Sequence, residues 1–219
     1  MSRANFEHKI KQLHIEIIRM GGLVEVAVED SVQVFEHNNR ELCEAIIEND
    51  TTIDEAEKRI ESKCLWLIAR EQPIASDLRE ITTALKIITD MERIGDHAVD
   101  IAELAMRTVG KNAFADSSHI SQMAATVIEI VHSAITAYAN YDLELAESTG
   151  EKDSVVDEYF SLVKQELVQI FATQPQRMNN AIDFLLIAKY LERIADHAVN
   201  ICGWVRFSQT GEHKNTLIF

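Results

Sequence analysis

Apolar residues near the start of the chain recur at intervals of three and four positions. Ile10, Leu13, Ile17 and Met20 follow this interval, which places their side chains on one face of an α-helix. The pattern predicts a first helix over residues 5–37. No later segment alternates apolar and polar residues with a period of two, so we predict no β-sheet.

Five further helices are predicted from the same interval and from residues that start or stop a helix. Asn39 can cap a second helix, which we expect to end near residue 71. Pro73 suits the first turn of the third helix, and Gly110 can close it. The remaining predicted helices span about residues 118–140, 142–173 and 176–208. The stretch Lys111–Ser118 is then the linker between two halves.

The chain carries one unit twice. Residues 191–201 match residues 91–101 at eight of eleven positions. The only two prolines are also about 100 positions apart. Three helices joined by short turns form a three-helix bundle, and its duplication produces a pseudo-twofold axis. We therefore predict an all-α fold of two tandem repeated three-helix bundles with pseudo-twofold symmetry, the first over residues 1–112 and the second over residues 113–219.

Carboxylates follow one face of the predicted third helix. Glu92, Asp96 and Asp100 are four positions apart, so their side chains project from the same side. Asp50 and Asp54 lie on the second helix, about as far before the predicted turn as these residues lie after it. An antiparallel hairpin therefore brings the two acidic stretches together. The second repeat gives the same arrangement with Asp153, Asp157, Glu192 and Asp196.

Carboxylates gathered in this way repel one another and need compensation. Two like charges about 4 Å apart cost about 4 kcal/mol at an effective dielectric near 20. Bound cations, basic partners, raised pKa values or solvent screening could each supply it. All-oxygen ligands favour magnesium, manganese, calcium or ferric iron, and the neighbouring His97 and His197 would widen the choice to zinc or nickel. An ordinary solvated helix face remains the alternative interpretation.

Composition narrows the classes of partner. The net charge of −15 disfavours nucleic acid and anionic membranes and suits metal cations or basic protein surfaces. The three cysteines are scattered, which is typical of core residues in a reducing compartment. The first residues lack the apolar run of a secretory signal, and the apolar runs are too short to span a membrane. We expect a cytoplasmic protein without membrane insertion.

Four segments carry a close resemblance to the PhoU family, the regulators associated with the high-affinity bacterial phosphate transporter. They are residues 20–25, 72–79, 90–103 and 190–202. The resemblance implies two three-helix bundles and a homodimeric signal-transduction protein that is not an enzyme. It implies negative regulation of the phosphate-starvation response and of phosphate transport, as an adaptor between the transporter's ATPase subunit (PstB) and the sensor histidine kinase (PhoR).

The resemblance also implies metal binding, because some family members hold iron or zinc clusters on E(D)xxxD motifs while others look metal-free. Carried onto this chain, the ligands are Asp50, Asp54, Glu92, Asp96, Asp100, Asp153, Asp157, Glu192 and Asp196. The second repeat departs from the first where Asn200 replaces the acid of Asp100 and Ala195 replaces Gly95. One missing acid predicts weaker metal loading of the second site.

Other function classes have less support. A carboxylate-bridged metalloenzyme of the ferritin-like kind needs two Glu-x-x-His pairs, and only Glu129 and His132 form one, outside both acidic stretches. A regulator of another phosphate carrier or a structural helical scaffold is the closer alternative, separable by its binding partners. There is no glycine-rich phosphate loop and no nucleophile elbow, so we predict no kinase or hydrolase activity.

Overall fold

The computed structural model describes residues 3–37, 39–107, 118–174, 176, 178–213 and 216–217. The first repeat contains the helices α1 (Arg3–His37), α2 (Arg40–Glu71) and α3 (Ala75–Arg107). The second contains α4 (Ser118–Asn140), α5 (Leu143–Gly150), α6 (Asp153–Thr173) and α7 (Met178–Thr210), followed by the short strands β1 (Glu212–His213) and β2 (Thr216–Leu217). The predicted linker before Ser118 and the domain boundary at residue 112 lie outside the described residues.

The predicted cap of the second helix is confirmed, whereas Pro73 lies just before α3 and not in its first turn. The predicted end at Gly110 lies outside the described residues. The Asn39 side chain accepts a hydrogen bond of 3.2 Å from the Leu42 N–H and so caps α2. Gln72 adopts the left-handed conformation with φ of 50° just after α2 ends. The helix α3 begins two residues after Pro73, with the Asp77 carboxylate accepting from the Ile74 N–H. These short turns force consecutive helices to run antiparallel.

Two predictions about secondary structure are wrong. The single helix expected over residues 142–173 is divided into α5 and α6, because a tight turn interrupts the α-helical ladder: the Lys152 N–H bonds to the carbonyl of Thr149, three residues back. The prediction of no sheet fails where β1 pairs antiparallel with β2. Strands of two residues are too short to produce an alternating pattern in the sequence.

The two bundles share one continuous apolar core. The predicted stripe of α1 is buried, with Ile17, Met20 and Val24 at most 1% exposed. All three cysteines are buried and none forms a disulfide. Among the described helices, α4 alone has the length and composition of a membrane span over His119–Asn140, and half of that stretch is buried inside the protein. A helix in the core of a bundle meets the same criteria.

The repeats meet where α3 crosses α7, which is the most extensive contact between two helices of the molecule. The His97 and His197 rings lie 5.8 Å apart at this crossing. His97 also packs 5.3 Å from the Tyr190 ring, while His197 Nδ1 lies 2.8 Å from a carboxylate oxygen of Asp90. Positions 90 and 190 are equivalent in the two repeats, so the contacts are related by the predicted pseudo-twofold axis.

Candidate metal centre

The first acidic cluster lies where α2 and α3 pack side by side. An ideal Cβ placed on Gly95 would be 3.4 Å from the Asp50 carboxylate and 3.1 Å from Ile53. Asp50 therefore closes over the backbone of α3 one residue before Asp96. The predicted register of this hairpin is confirmed at that point, since it places Asp50 opposite residue 95.

Mutual repulsion shows which carboxylates belong to the first cluster. Burial raises the pKa of Asp50, and the charges of Asp96 and Asp54 raise it further. Burial also raises the pKa of Glu92, with additional contributions from Asp96, Glu57 and Asp54. Glu57 therefore belongs to the cluster, although the predicted ligand set omits it. Its position on the acidic face of α2 was the signal that could have identified it.

The second cluster repeats this arrangement between α6 and α7. Burial is the main cause of the raised pKa of Asp153, and the charges of Asp196, Asp157 and Glu192 add to it. The Asp196 residue is largely exposed, and its pKa is raised by partial desolvation and next by the charge of Glu192. The structure thus brings together four of the carboxylates predicted for each site.

Protein cations compensate part of this negative charge. In the first cluster, Lys58 lies 3.1 Å from Asp54, and Arg93 lies 3.3 Å from Glu92 and 3.1 Å from Asp96. In the second cluster, Lys189 pairs with Glu192. Across the described part of the chain, no three histidine, cysteine or carboxylate side chains converge as a ready-made metal site.

The donor set nevertheless fits a hard cation, because each cluster consists of carboxylates on two facing helices. Asp50 and Glu92 keep raised pKa values even though Arg93 lies within the cluster. The first cluster has five carboxylates, Asp50, Asp54, Glu57, Glu92 and Asp96, against the two cations Lys58 and Arg93, so its negative charge exceeds what the lysine and arginine side chains neutralise. A metal ion would bind by drawing these carboxylates away from their present partners.

Asp100 and the two histidines face the contact between the repeats. Asp100 lies 3.3 Å from His97 Nδ1, and it is not among the charges that raise the pKa of Asp50 or Glu92. His97 is buried, which lowers its pKa. The assignment of Asp100 as a ligand stays a prediction. The histidines have hydrogen-bonding partners that include Asp100 and Asp90, so their expected place at the edge of a metal site has no support from these contacts.

The comparisons with known proteins agree with the duplication. The PhoU domain matches residues 17–105 and again residues 120–205. The chain belongs to the PhoU family. A relative from Clostridium acetobutylicum, named a phosphate-specific transport system accessory protein PhoU homolog, is 37% identical over 97% of both chains. A homolog from Thermotoga maritima is 31% identical and covers 100% of this chain and 94% of its own length.

Solved PhoU structures share the fold. The crystal structure of PhoU from Pseudomonas aeruginosa superposes with a TM-score of 0.91 at 31% identity, covering 94% of this chain and 100% of that one. The structure of the phosphate transport system regulatory protein PhoU from Streptococcus pneumoniae gives a TM-score of 0.86 at 27% identity, covering 98% of this chain and 99% of its own. PhoU proteins are regulatory accessory proteins rather than enzymes, and this chain is a regulator related to phosphate transport.

The raised pKa of Asp50 leads to a prediction for metal-free protein. A folded state that holds a proton more tightly than the unfolded chain gains stability at acidic pH, and this gain is lost as the pH rises through the raised pKa. We expect Asp50→Asn to increase the free energy of unfolding at pH 7 by about 0.5–2 kcal/mol, as replacements at functional sites commonly do. Urea denaturation at several pH values, in the presence of a chelator, measures this.

The exposed Glu55 provides the matched control on the same helix. Glu55→Gln should change the free energy of unfolding by less than about 0.5 kcal/mol. Asp50→Asn should also flatten the pH dependence between pH 4 and neutrality, whereas Glu55→Gln should leave it unchanged. Loss of stability in Asp50→Asn would contradict the view that this carboxylate is held against repulsion.

Proposed function

We propose that this chain is a cytoplasmic negative regulator of the phosphate-starvation response, and that its two carboxylate clusters bind metal cations. It would act as an adaptor between the ATPase subunit of the phosphate ABC transporter (PstB) and the sensor histidine kinase (PhoR). The observation that carries the proposal is the duplication itself. It places one acidic cluster on facing helices in each repeat of a chain whose relatives are named phosphate-specific transport accessory proteins.

The metal part of the proposal follows from the chemistry of the clusters. Carboxylate oxygens are suitable ligands for iron, magnesium and manganese, and they also bind zinc. The partial burial of Asp50 and Asp153 strengthens the attraction for a cation, because screening by solvent is reduced there. Family resemblance favours iron or zinc. Asp50, Asp54, Glu92 and Asp96 would hold the ion in the first cluster, together with Glu57.

The adaptor part follows from charge and from thermodynamic linkage. A net charge of −15 suits partners with basic surfaces. An adaptor can transmit phosphate status only if it binds two states of its partner with different affinity. We propose that the metal-loaded protein, acting as a homodimer, stabilises the partner state that prevails when phosphate is plentiful.

One set of variants tests both parts. Protein purified without chelator is analysed for metal content in the wild type, in Asp96→Ala, in Asp196→Ala and in the double variant. Each single variant should lose the metal content of one cluster, and the double variant should lose nearly all of the bound metal. Each replacement removes a central ligand. Glu44→Ala removes an exposed carboxylate of α2 outside the cluster and should keep the full content.

The same proteins are then measured for binding to PstB and to the cytoplasmic part of PhoR. We expect the wild type to bind both and the double variant to bind them more weakly. Unchanged metal content in the double variant would show that the ligands lie elsewhere. Metal loss without any change in partner binding would support the metal sites but contradict the proposal that metal loading controls the adaptor role. Failure of the wild type to bind either protein would contradict the adaptor role.

A further inference from the structure

The two clusters differ in the charge that the last helix of each repeat supplies. Thr89 of α3 is neutral, and its hydroxyl donates to the Leu85 carbonyl. The equivalent position of α7, one hundred residues later, is Lys189. Its ammonium group forms an ion pair with Glu192, whose side chain is only 15% exposed. A positive charge is therefore built into the second cluster where the first has a hydroxyl.

The helix α6, which faces Lys189, differs from its counterpart α2 at the position next to this lysine. Phe160 of α6 occupies the position that Glu57 has in α2, with the offset of 103 residues that relates these helices. Lys189 Nζ lies 5.4 Å from the centre of the Phe160 ring, a distance at which the ring attracts a cation. The exchange of Glu57 for Phe160 removes a carboxylate and adds an aromatic surface for the ammonium group.

The charge of Lys189 reaches beyond its direct partner. It opposes the rise in the pKa of Asp196 that burial and the charge of Glu192 cause. In the first cluster, the corresponding pair of Glu92 and Asp96 is compensated instead by Arg93, whose side chain is 54% exposed and lies on the solvent side. The first cluster has Lys58 and Arg93, whose side chains are 67% and 54% exposed, whereas that of Lys189 of the second is 42% exposed. Among the described cations of the two clusters, only Lys189 is also held by an aromatic ring.

We propose that Lys189 is a built-in counter-cation of the second carboxylate cluster, so that a metal ion must displace its ammonium group to bind there. The inference rests on the proposed function, because it concerns the metal affinity of the two clusters. Displacement breaks the ion pair with Glu192 and the contact with Phe160. The first cluster therefore binds a divalent cation before the second, and the second exchanges lysine for metal at higher concentration.

The decisive experiment isolates each cluster in the full-length chain and uses Mn²⁺ as the probe. Asp96→Ala leaves only the second cluster, and electron paramagnetic resonance of free Mn²⁺ gives its dissociation constant. Adding Lys189→Met, which keeps the length of the side chain without its charge, should tighten Mn²⁺ binding by about tenfold, equivalent to about 1.4 kcal/mol. An unchanged or weaker affinity would overturn the proposal.

The reciprocal variant serves as the second arm. In an Asp196→Ala background only the first cluster remains, and Thr89→Lys introduces the lysine at the equivalent position. We expect this change to weaken Mn²⁺ binding by a similar factor. Lys164→Met is the matched control for Lys189→Met, because Lys164 contacts the same Phe160 ring at 4.7 Å whereas the ion pair with Glu192 belongs to Lys189. A gain in affinity from Lys164→Met equal to that from Lys189→Met would also count against the proposal.

A measurement without metal separates this inference from the proposed function. With chelator and at low salt, Lys189→Met should lower the melting temperature by about 2–4 °C, the shift that accompanies about 1 kcal/mol in a protein of this size. Lys164→Met should lower it less. If neither cluster of the wild type binds Mn²⁺, the proposed metal-binding function is wrong. The melting temperature alone then tests whether Lys189 acts as the counter-cation of the second cluster. A drop supports that role of Lys189, and no drop overturns it.

Discussion

Replacing Phe35 by alanine is expected to lower the free energy of unfolding by about 3–5 kcal/mol, the usual cost of truncating a buried phenylalanine. Phe35 is only 1% exposed and lies near the end of α1, in the first repeat. Its ring meets that of Phe184 from α7 edge to face, with centroids 6.1 Å apart. The cavity would therefore open between the two repeats rather than inside one of them.

The two tryptophans allow each repeat to be followed separately. Trp66 belongs to α2 and reports on the first repeat, while Trp204 belongs to α7 and reports on the second. Urea denaturation of Trp66→Phe and Trp204→Phe proteins, each with and without Phe35→Ala, gives the two unfolding midpoints. Because the bundles share one core, we expect Phe35→Ala to move both midpoints together.

Val168→Ala is the control for truncation at the surface, since Val168 is 62% exposed and should shift stability by less than about 0.5 kcal/mol. If Phe35→Ala moves only the Trp66 signal, the repeats unfold independently. Joint movement would instead mean that a metal ion bound in one repeat stabilises both of them, since ligand binding to a cooperative folded state stabilises all of it.

The two helical bundles could be predicted from the sequence because its separate signals all indicate the same packing of helices. The helical interval identifies the helices, and the turn before Pro73 fixes the antiparallel register of α2 and α3. That register alone places Asp50 opposite Gly95, which is where the structure has it. The close internal match of residues 91–101 and 191–201 then extends the argument to the second hairpin.

Features that depend on competition between local hydrogen bonds or between side-chain rotamers could not be predicted from the helical interval and the turn. The turn that separates α5 from α6 arises from a single carbonyl, that of Thr149, which accepts from Lys152 instead of a residue four positions on. No proline marks it, but residues 147–154 are polar and include Gly150, which is the signal that could have indicated the turn. The pairing of Arg93 with Glu92 and Asp96 likewise depends on side-chain rotamers that a helical interval does not determine.

The predicted asymmetry of the two sites has a second signal in the sequence. The first is Asn200, the counterpart of Asp100, whose carboxylate lies 3.3 Å from His97 Nδ1 at the contact between repeats. Aligning the repeats at offset 100 also sets Lys189 against Thr89. That exchange acts on Glu192 directly. Weaker loading of the second site stays a prediction, and the exchange of Thr89 for Lys189 gives it a second physical cause.

The adjacent glycines of α1 should respond in opposite directions to alanine. The helix continues through both Gly21 and Gly22, where glycine lowers stability relative to alanine by about 1 kcal/mol. A Cβ on Gly22 would meet no atom within 4 Å. A Cβ on Gly21 would lie 2.8 Å from Ile135 Cγ2 of α4 and 3.3 Å from Met91 of α3. Gly21 therefore permits α1 to approach helices of both repeats.

We expect Gly22→Ala to raise the free energy of unfolding by about 0.5–1 kcal/mol through helix propensity alone. Gly21→Ala gains the same propensity but forces a branched, buried side chain to move, and such overpacking costs about 1–3 kcal/mol. Gly22→Ala should therefore be more stable than Gly21→Ala by about 1–3 kcal/mol in urea denaturation.

Replacing Ile135 by the smaller valine should reduce the difference, because Ile135→Val together with Gly21→Ala relieves part of the crowding at the junction. If Gly21→Ala alone were as stable as Gly22→Ala, the close approach of α1 to α4 would not depend on the missing Cβ. The contact between repeats would then be looser than a distance of 2.8 Å requires, and the joint unfolding expected for Phe35→Ala would lose one of its structural reasons.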